Sequence, residues 1–419
     1  MSFGMYTEID QCRICGNTHL ELLFDLGEQA LAGIFPPDST AHVATMPVQL
    51  VKCMGDDCCG LVQMKHSGAP EEMYGMNYGY RSGLNRSMVE HLHSLYEKIT
   101  DIAKPQQGDI VLDIGSNDAT LLKNYDAIAL TLVGMDPTGT KFRQYYPDTI
   151  TLIPDFFSAA NFESAFPEQK AKIITSIAMF YDLEDPQTFV NDIASVLADD
   201  GVWMFEQSYL PLMLTTNAYD TICQEHLEYY AMRQIVWLLE RADMTVLDAY
   251  ETDANGGSIC VIAAKNTHPS TANSTAATAF LQKEQEVALD TLAPYQAFRK
   301  RVEQNRDDLV TLLQELQSKG KTVFGLGAST KGNVVLQYCG ITEDVLPFVA
   351  EVNEDKFGCF TPGTRIPIIS QHDADRKEPD YYLVLPWHFR KNITQNMNDY
   401  IQSGGKLIFP LPELTIVGD

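Results

Sequence analysis

Basic residues are scarce in this 419-residue chain: 30 Lys and Arg stand against 56 Asp and Glu, a net charge of −26. A surface of that sign repels a phosphodiester backbone, because nucleic-acid binding needs clustered cations that displace counterions, and nucleic acid is therefore not expected as a partner. Long apolar runs are also missing. No window reaches the roughly 18 apolar residues of a membrane span, so no membrane partner is expected. The opening MSFGMYTEID has neither a basic start nor an apolar stretch and does not read as a secretory signal. The chain is expected in the cytoplasm, where its nine cysteines would stay reduced or bind metal rather than form a disulfide scaffold. An anionic ligand would need a local gathering of backbone N–H groups or cations.

What is present is an apolar fraction of 45%, which suits a packed α/β enzyme of two or three domains at this length. CRIC supplies Cys12 and Cys15, and VKCMGDDCCGLVQ supplies Cys53, Cys58 and Cys59. A Cys-x-x-Cys turn presents two thiolates on one side, as tetrahedral zinc requires, and Gly16 and Gly60 permit the tight backbone after each half. Cys12, Cys15 and Cys53 with Cys59 form the expected set, with Cys58 as the alternative fourth ligand. Four thiolates leave no open position, so this zinc is expected to be structural and to staple residues 1–80.

GDIVLDIGSNDATLLKNY (108–125) reads as a buried strand, a polar turn and a helix, with Asp113 near the strand end and Gly115 in the turn. The second strand, LTLVGMDP, ends in Asp136, placed to bind a ribose diol. A nicotinamide nucleotide would want G-x-G-x-x-G. This turn offers Asn117 and Asp118 instead, which suit the cationic S-adenosylmethionine better than a pyrophosphate. Asp155 with Phe156 and Phe157, and Tyr181 after a further strand, are candidates to hold the cofactor. Parallel strands closed by a hairpin around Asn255–Gly256–Gly257 match a class I methyltransferase sheet over 81–266.

Residues 267–319 carry helical spacing (Leu309, Leu312, Leu313, Leu316) with Gly320 as a stop, and read as a connector. A second Rossmann-like unit over 320–419 begins KTVFGLGASTKGNVVLQY, whose small residues, hydroxyls and one lysine at a helix start make an anion cradle. Gly325, Gly327, Ser329, Thr330, Lys331, Asn333, Glu351, Lys356 and Trp387 are its candidate substrate-binding residues.

DTICQEHLEYY (220–230) crowds acids, tyrosines and His226 together. On a helix, His226 would share a face with Ile222, Tyr229 and Tyr230 as a packed core histidine does. The order of motifs reads otherwise. CRIC with CxxxxxCGLVQ, LDIGSND, EQSYL followed by DTIxxEHLEYY, NGGS, GLGASTKGN and PGT resemble the sugar C-methyltransferase family over nearly the whole chain. That resemblance implies three units: a zinc-binding N-terminal domain, a central S-adenosylmethionine domain, and a C-terminal Rossmann-like domain holding a nucleotide-linked sugar. It implies methylation of a ring carbon, typically carbon 3 of a 4-keto-6-deoxy sugar. The family's catalytic histidine then falls on His226, with Glu225 orienting the imidazole or its neighbours. Tyr78 and Tyr80 of NYGYRSG are candidates to steady an enolate oxygen. Some members carry a tyrosine and a histidine where this chain has Cys223 and Gln224. An O- or N-methyltransferase would use the same cofactor fold, and a non-enzymatic nucleotide-sugar-binding protein would share the third unit.

Overall fold

The computed structural model describes residues 6–69, 80–126, 128–271 and 274–418. Its N-terminal part pairs β1 (Tyr6–Glu8) only with β5 (His66–Gly68), and hangs the rest on β2 (Leu20–Ala30), β3 (Thr45–Cys53) and β4 (Val62–Met64). Buried Leu23, Phe24, Leu26 and Gln29 beside exposed Glu21, Asp25 and Glu28 mark β2 as a strand with one solvated face, its alternation broken by two bulges.

Helix α1 (Arg86–Ala103) starts on Asn85, whose side chain accepts from the Ser87 N–H, and buries Met88, Leu92, Leu95, Ile99 and Ala103 at helical spacing. Met88, Leu92, Leu95 and Ile99 each contribute about 1.5–3 kcal/mol by that burial. The central sheet follows: β6 (Ile110–Ile114), β7 (Thr131–Met135), β8 (Ile150–Ile153), β9 (Ala171–Ile177), β10 (Leu197–Ser208), then, after the short β11 (Glu228–Tyr229), β12 (Met244–Thr252) and β13 (Ser258–Lys265). The order across the sheet is β12-β13-β10-β9-β6-β7-β8, with β13 antiparallel to both neighbours and the other pairings parallel. This is the expected class I methyltransferase sheet. All five residues of β6 are buried, because parallel strands are covered on both faces.

One expectation fails. No α-helix follows the β6 turn; a single 3₁₀ turn (Leu122–Asn124) stands there instead. Asn117 and Ala119 adopt left-handed φ of 49° and 60°, which a right-handed helix cannot include.

Helices α2 (Ala276–Glu286) and α3 (Ala293–Ser318) form the connector, and Gly320 ends it at φ 69°. The last sheet has the order β16-β15-β14-β17-β18-β19, from β14 (Val323–Leu326), β15 (Val349–Glu351), β16 (Ile368–Ser370), β17 (Tyr381–Val384), β18 (Lys406–Phe409) and the antiparallel β19 (Thr415–Val417). That is the doubly wound order, whose switch point lies between β14 and β17. Among the described residues, no helix is long and apolar enough to cross a membrane.

The N-terminal sheet is not self-contained. Its fourth strand is β11, which pairs Glu228 with Gln63 and Tyr229 with Val62. The stretch that carries His226 therefore runs straight into a strand of the cysteine-bearing unit.

Candidate active site

Ligands of open α/β sheets bind beyond the carboxyl ends of the strands at the switch point. Here the two switch points open onto one cavity of about 1060 Å³. Asp113, Gly115, Ile177, Ala178, Tyr181 and Glu206 line it from the central sheet, and Gly327 to Lys331, Glu351, Lys356 and His388 from the last. Glu225 and His226 lie on its wall. The volume is at the upper end of small-molecule pockets and accommodates more than one ligand.

The His226 stretch is not helical. A 3₁₀ turn (Tyr219–Thr221) ends at Ile222, and the chain then runs irregularly to β11. The His226 Nδ1–H donates to the Thr221 carbonyl at 2.8 Å, which fixes the tautomer and leaves the Nε2 lone pair as the basic one. The Tyr181 ring packs on the imidazole with centroids 4.4 Å apart. Burial first, and the Lys331 charge second, push His226 down to about 3, so the ring is neutral.

The Thr221 carbonyl holds that imidazole at Nδ1, so the orienting role expected of Glu225 falls to the neighbours of the ring. The Glu225 carboxyl lies against Gly33 of the N-terminal part, where a Cβ would stand 2.0 Å from Oε1. Burial pushes it up to about 7, with Lys356 opposing. A carboxyl so placed is substantially protonated at neutral pH and can donate a hydrogen bond.

At the cofactor end, Asp113 is buried with the Thr175 hydroxyl donating at 2.6 Å, and burial raises it to about 7. Glu206 accepts from Thr252 at 2.7 Å and contacts His91 Nε2 at 2.6 Å. Burial lowers His91, but the hydrogen bond and charge of Glu206 outweigh it and raise its affinity for a proton. This acidic lining fits a sulfonium and an ammonium. At the other end stand Lys331 and Lys356. Lys331 Nζ donates to the Asn255 carbonyl at 2.6 Å and Lys356 Nζ to the Ala328 carbonyl at 2.8 Å, while burial lowers both. These two ammonium groups are the local basic patch that the acidic composition called for.

Several predicted residues have other tasks. Asn117 Oδ1 accepts from Ser82 N–H and Asp118 Oδ2 from Gly83 N–H, each at 3.0 Å, so both side chains clamp the 80–83 segment onto the cofactor turn and neither lines the cavity. Asp136 accepts from Asn117 N–H at 2.7 Å and from the N–H and hydroxyl of Thr138, pinning the turn from behind. Asp155, Phe156 and Phe157 do not line the cavity either; Phe157 packs edge-on against Phe189. Trp387 is buried away from it, its indole N–H donating to Asp220 at 2.7 Å. Asn333 is fully buried and donates to the Ala32 carbonyl at 2.8 Å. Glu351 accepts from the N–H groups of Ala328, Val352 and Asn353, which shapes the wall. Gly327 sits at φ 84°, and a Cβ there would strike Pro386 at 2.7 Å. Gly325 is similarly closed in, with Val349 2.9 Å from a Cβ, so Gly325 serves close packing within the sheet and Gly327 close packing at its cavity end. Ser329 caps the following helix (Thr330–Tyr338) by accepting from Gly332 N–H. Tyr80 lies on the rim, 47% exposed, and Tyr78 falls outside the described residues.

The thiols of Cys12, Cys15, Cys53 and Cys59 all lie within 4.8 Å of one another, with Cys12–Cys59 and Cys15–Cys53 at 3.5 Å. Tetrahedral zinc with Zn–S near 2.3 Å needs sulfurs about 3.8 Å apart, so this set fits the ion. Gly16 and Gly60 turn at φ 70° and 75°, as the tight halves require. Cys58 points elsewhere, its Sγ 3.6 Å from the Cys53 carbonyl.

Three family models divide the chain between them: a zinc binding domain over 12–74, a methyltransferase domain over 85–249, and a C-methyltransferase C-terminal domain over 253–412. The chain is also 29% identical to the C-methyltransferase NovU of Streptomyces niveus over 415 residues, 98% of this chain and 97% of that one. Together the three matches span nearly the whole chain in the order zinc unit, cofactor unit, C-methyltransferase unit. The chain is an S-adenosylmethionine-dependent C-methyltransferase with a zinc-binding N-terminal domain. Among solved structures it is similar to an S-adenosylmethionine-dependent methyltransferase from Clostridium acetobutylicum (13% identity, 42% of this chain and 92% of that one, TM-score 0.33). It is likewise similar to the magnesium protoporphyrin IX methyltransferase of Synechocystis with bound S-adenosylhomocysteine (13%, 43% and 88%, TM-score 0.33). The family match decides against the O- or N-methyltransferase and the non-enzymatic readings.

Sequence reading missed three contributors. Thr221 meets the ring through its backbone carbonyl at 2.8 Å, which any residue offers, with its hydroxyl 3.3 Å from the same nitrogen. Gly33 lies in a loop nearly two hundred residues before the carboxyl it touches. His388, a second imidazole on the cavity wall with its Nδ1 buried and unpartnered among the described residues, stands next to Trp387 and belongs to no motif of its own.

Proposed function

We propose that this C-methyltransferase alkylates a ring carbon of a nucleotide-linked 4-keto-6-deoxy sugar, at carbon 3, in deoxysugar biosynthesis. The supporting observation is the polarity of the cavity. Carboxylates at one end suit a cationic methyl donor, ammonium groups at the other suit a diphosphate, and a neutral imidazole lies on the same wall. We assign residues 1–80, 81–266, 267–319 and 320–419 as the zinc, cofactor, connecting and sugar-nucleotide units. Cys12, Cys15, Cys53 and Cys59 hold the zinc.

In this reading, Asp113, Glu206 and the Gly115 turn receive the cofactor, with Asp136 holding that turn in shape. Bound S-adenosylmethionine supplies an electrophilic sulfonium methyl for the carbanion that forms. His226 Nε2 takes the hydrogen alpha to the ketone, and the resulting imidazolium proton stays on Nε2 while Thr221 keeps Nδ1–H. Proton abstraction at carbon is feasible only when the enolate oxygen is stabilised. Glu225 in its protonated form donates to that oxygen, with the Tyr80 hydroxyl at the rim as a second donor. Lys331 and Lys356 hold the diphosphate.

Incubating the native enzyme with thymidine, guanosine or cytidine diphosphate 4-keto-6-deoxyhexoses and S-adenosylhomocysteine in deuterium oxide should exchange the alpha hydrogen of the true substrate. Methyl transfer from labelled S-adenosylmethionine to a sugar that never exchanges would rule out the carbanion route.

The protonated form of Glu225 also predicts a pH dependence. Its folded pKa is raised from 4.5 to about 7, so the donor is present below that value and is lost as pH rises through it. The turnover number should fall above pH ~7 in the native enzyme. Glu225→Gln keeps an N–H donor at every pH, and should flatten this alkaline limb while retaining measurable turnover. An unchanged limb in that variant would assign it to another group.

A further inference from the structure

The residue before Glu225 is Gln224, and it is only 1% exposed. Its amide reaches back to the N-terminal domain. Oε1 accepts from the Ala32 N–H at 3.2 Å, and Nε2 donates to the carbonyls of Gln29 and Ala30 at 3.3 and 3.1 Å. One side chain thus satisfies three backbone groups of a strap that leaves β2 and leads to Gly33. The C-terminal domain grips the same strap from its other side. Gln337 accepts from Ala30 N–H at 2.8 Å and donates to the Ala30 carbonyl, and Asn333 donates to the Ala32 carbonyl. Gly33 then rests on the Glu225 carboxyl so closely that no side chain fits between them.

We propose that Gln224 is a positioning residue for methyl transfer: it fixes the 29–33 strap against the catalytic loop, and Gly33 at the end of that strap sets where the Glu225 carboxyl stands. The proposal rests on the reading of Glu225 given above and adds how its position is held. Buried amides of this kind cost free energy when their partners are removed, since the backbone groups are left unpaired. A shift of the carboxyl by about 1 Å is enough to lower a rate by about 10²-fold.

The test is a pair of double-mutant cycles, since residues acting through one group are non-additive. Gln224→Met and Gly33→Ala are each made in the native enzyme and in Glu225→Ala, with S-adenosylmethionine affinity and zinc content as the checks on folding of the central and N-terminal domains. The substrate is a thymidine diphosphate 4-keto-6-deoxyhexose. In the native background each should lower the turnover number by about 10- to 100-fold with little change in KM. Each should also displace the alkaline limb of the pH profile. In Glu225→Ala both should cost less than about twofold, because the added Gly33 methyl enters the space that the carboxyl vacated. Full multiplication of the losses in that background would overturn the positioning role while leaving Glu225 catalytic. Native turnover in Glu225→Ala alone would overturn the reading of Glu225, and the positioning role with it. If Gln224→Met fails to bind the cofactor, the Gly33→Ala cycle decides by the same two outcomes.

Discussion

Replacing His226 by asparagine is expected to lower the turnover number by roughly 10²–10⁴ while cofactor affinity stays nearly unchanged. The reason is the division of labour on the ring: Thr221 occupies Nδ1–H, so only Nε2 can take a proton from the cavity. Asparagine can keep the contact to Thr221 but offers no basic nitrogen. The active form of the native ring is the neutral one. With the folded pKa lowered from 6.5 to about 3, that form is populated throughout the neutral range, and His226 itself should place no acid limb on turnover above pH ~5. A diphosphate beside Lys331 would offset the ammonium charge that helps depress the ring, and so strengthen it as a base when the substrate is bound. The same shift has a cost in acid. Between pH 6.5 and about 3 the unfolded chain binds the proton that the folded chain refuses, so stability contributed by the neutral ring is lost as pH falls through that window. The asparagine variant should lose less stability there, which thermal melts at pH 4 and 7 would show. Native-like turnover in His226→Asn would remove the imidazole from the mechanism and turn attention to His388, the other imidazole on the wall.

Removal of zinc should be nearly as damaging, although the ion is not placed among the reacting groups. Structural zinc contributes on the order of 10–16 kcal/mol in small cysteine-rich units, so Cys59→Ser should lose the metal and the order of its domain. That domain supplies two partners of the 222–229 stretch: β4, which pairs with β11 two residues after His226, and the strap that Gln224 grips. Turnover in Cys59→Ser should fall by about 10²-fold or more, because small misplacements of catalytic groups are this costly. Cofactor binding, which depends on the central sheet, should survive. Cys58→Ser should keep its zinc and its activity, because Sγ of Cys58 points at a carbonyl and not at the other thiols. Metal analysis beside turnover separates the two variants, and full activity in a zinc-free enzyme would break the link between the two domains.

The amino-acid sequence alone determined the kinds of parts and their order: a cysteine pair set, two strand–turn units with different turn chemistry, a connector, and a histidine beside a glutamate in a recognisable motif. Those features are local, since strand runs, glycine turns and cysteine spacings act over a few neighbouring residues. Only the tertiary structure decided which groups meet. It chose Cys59 over Cys58, turned Asn117 and Asp118 from the cofactor to the 80–83 segment, gave the imidazole to the Thr221 carbonyl, and laid Gly33 on Glu225. Most of these contacts use backbone N–H and C=O groups or the bare face of a glycine. Every residue carries those groups and no side chain announces them, so their pairing is set by how the sheets pack and leaves no mark in the sequence.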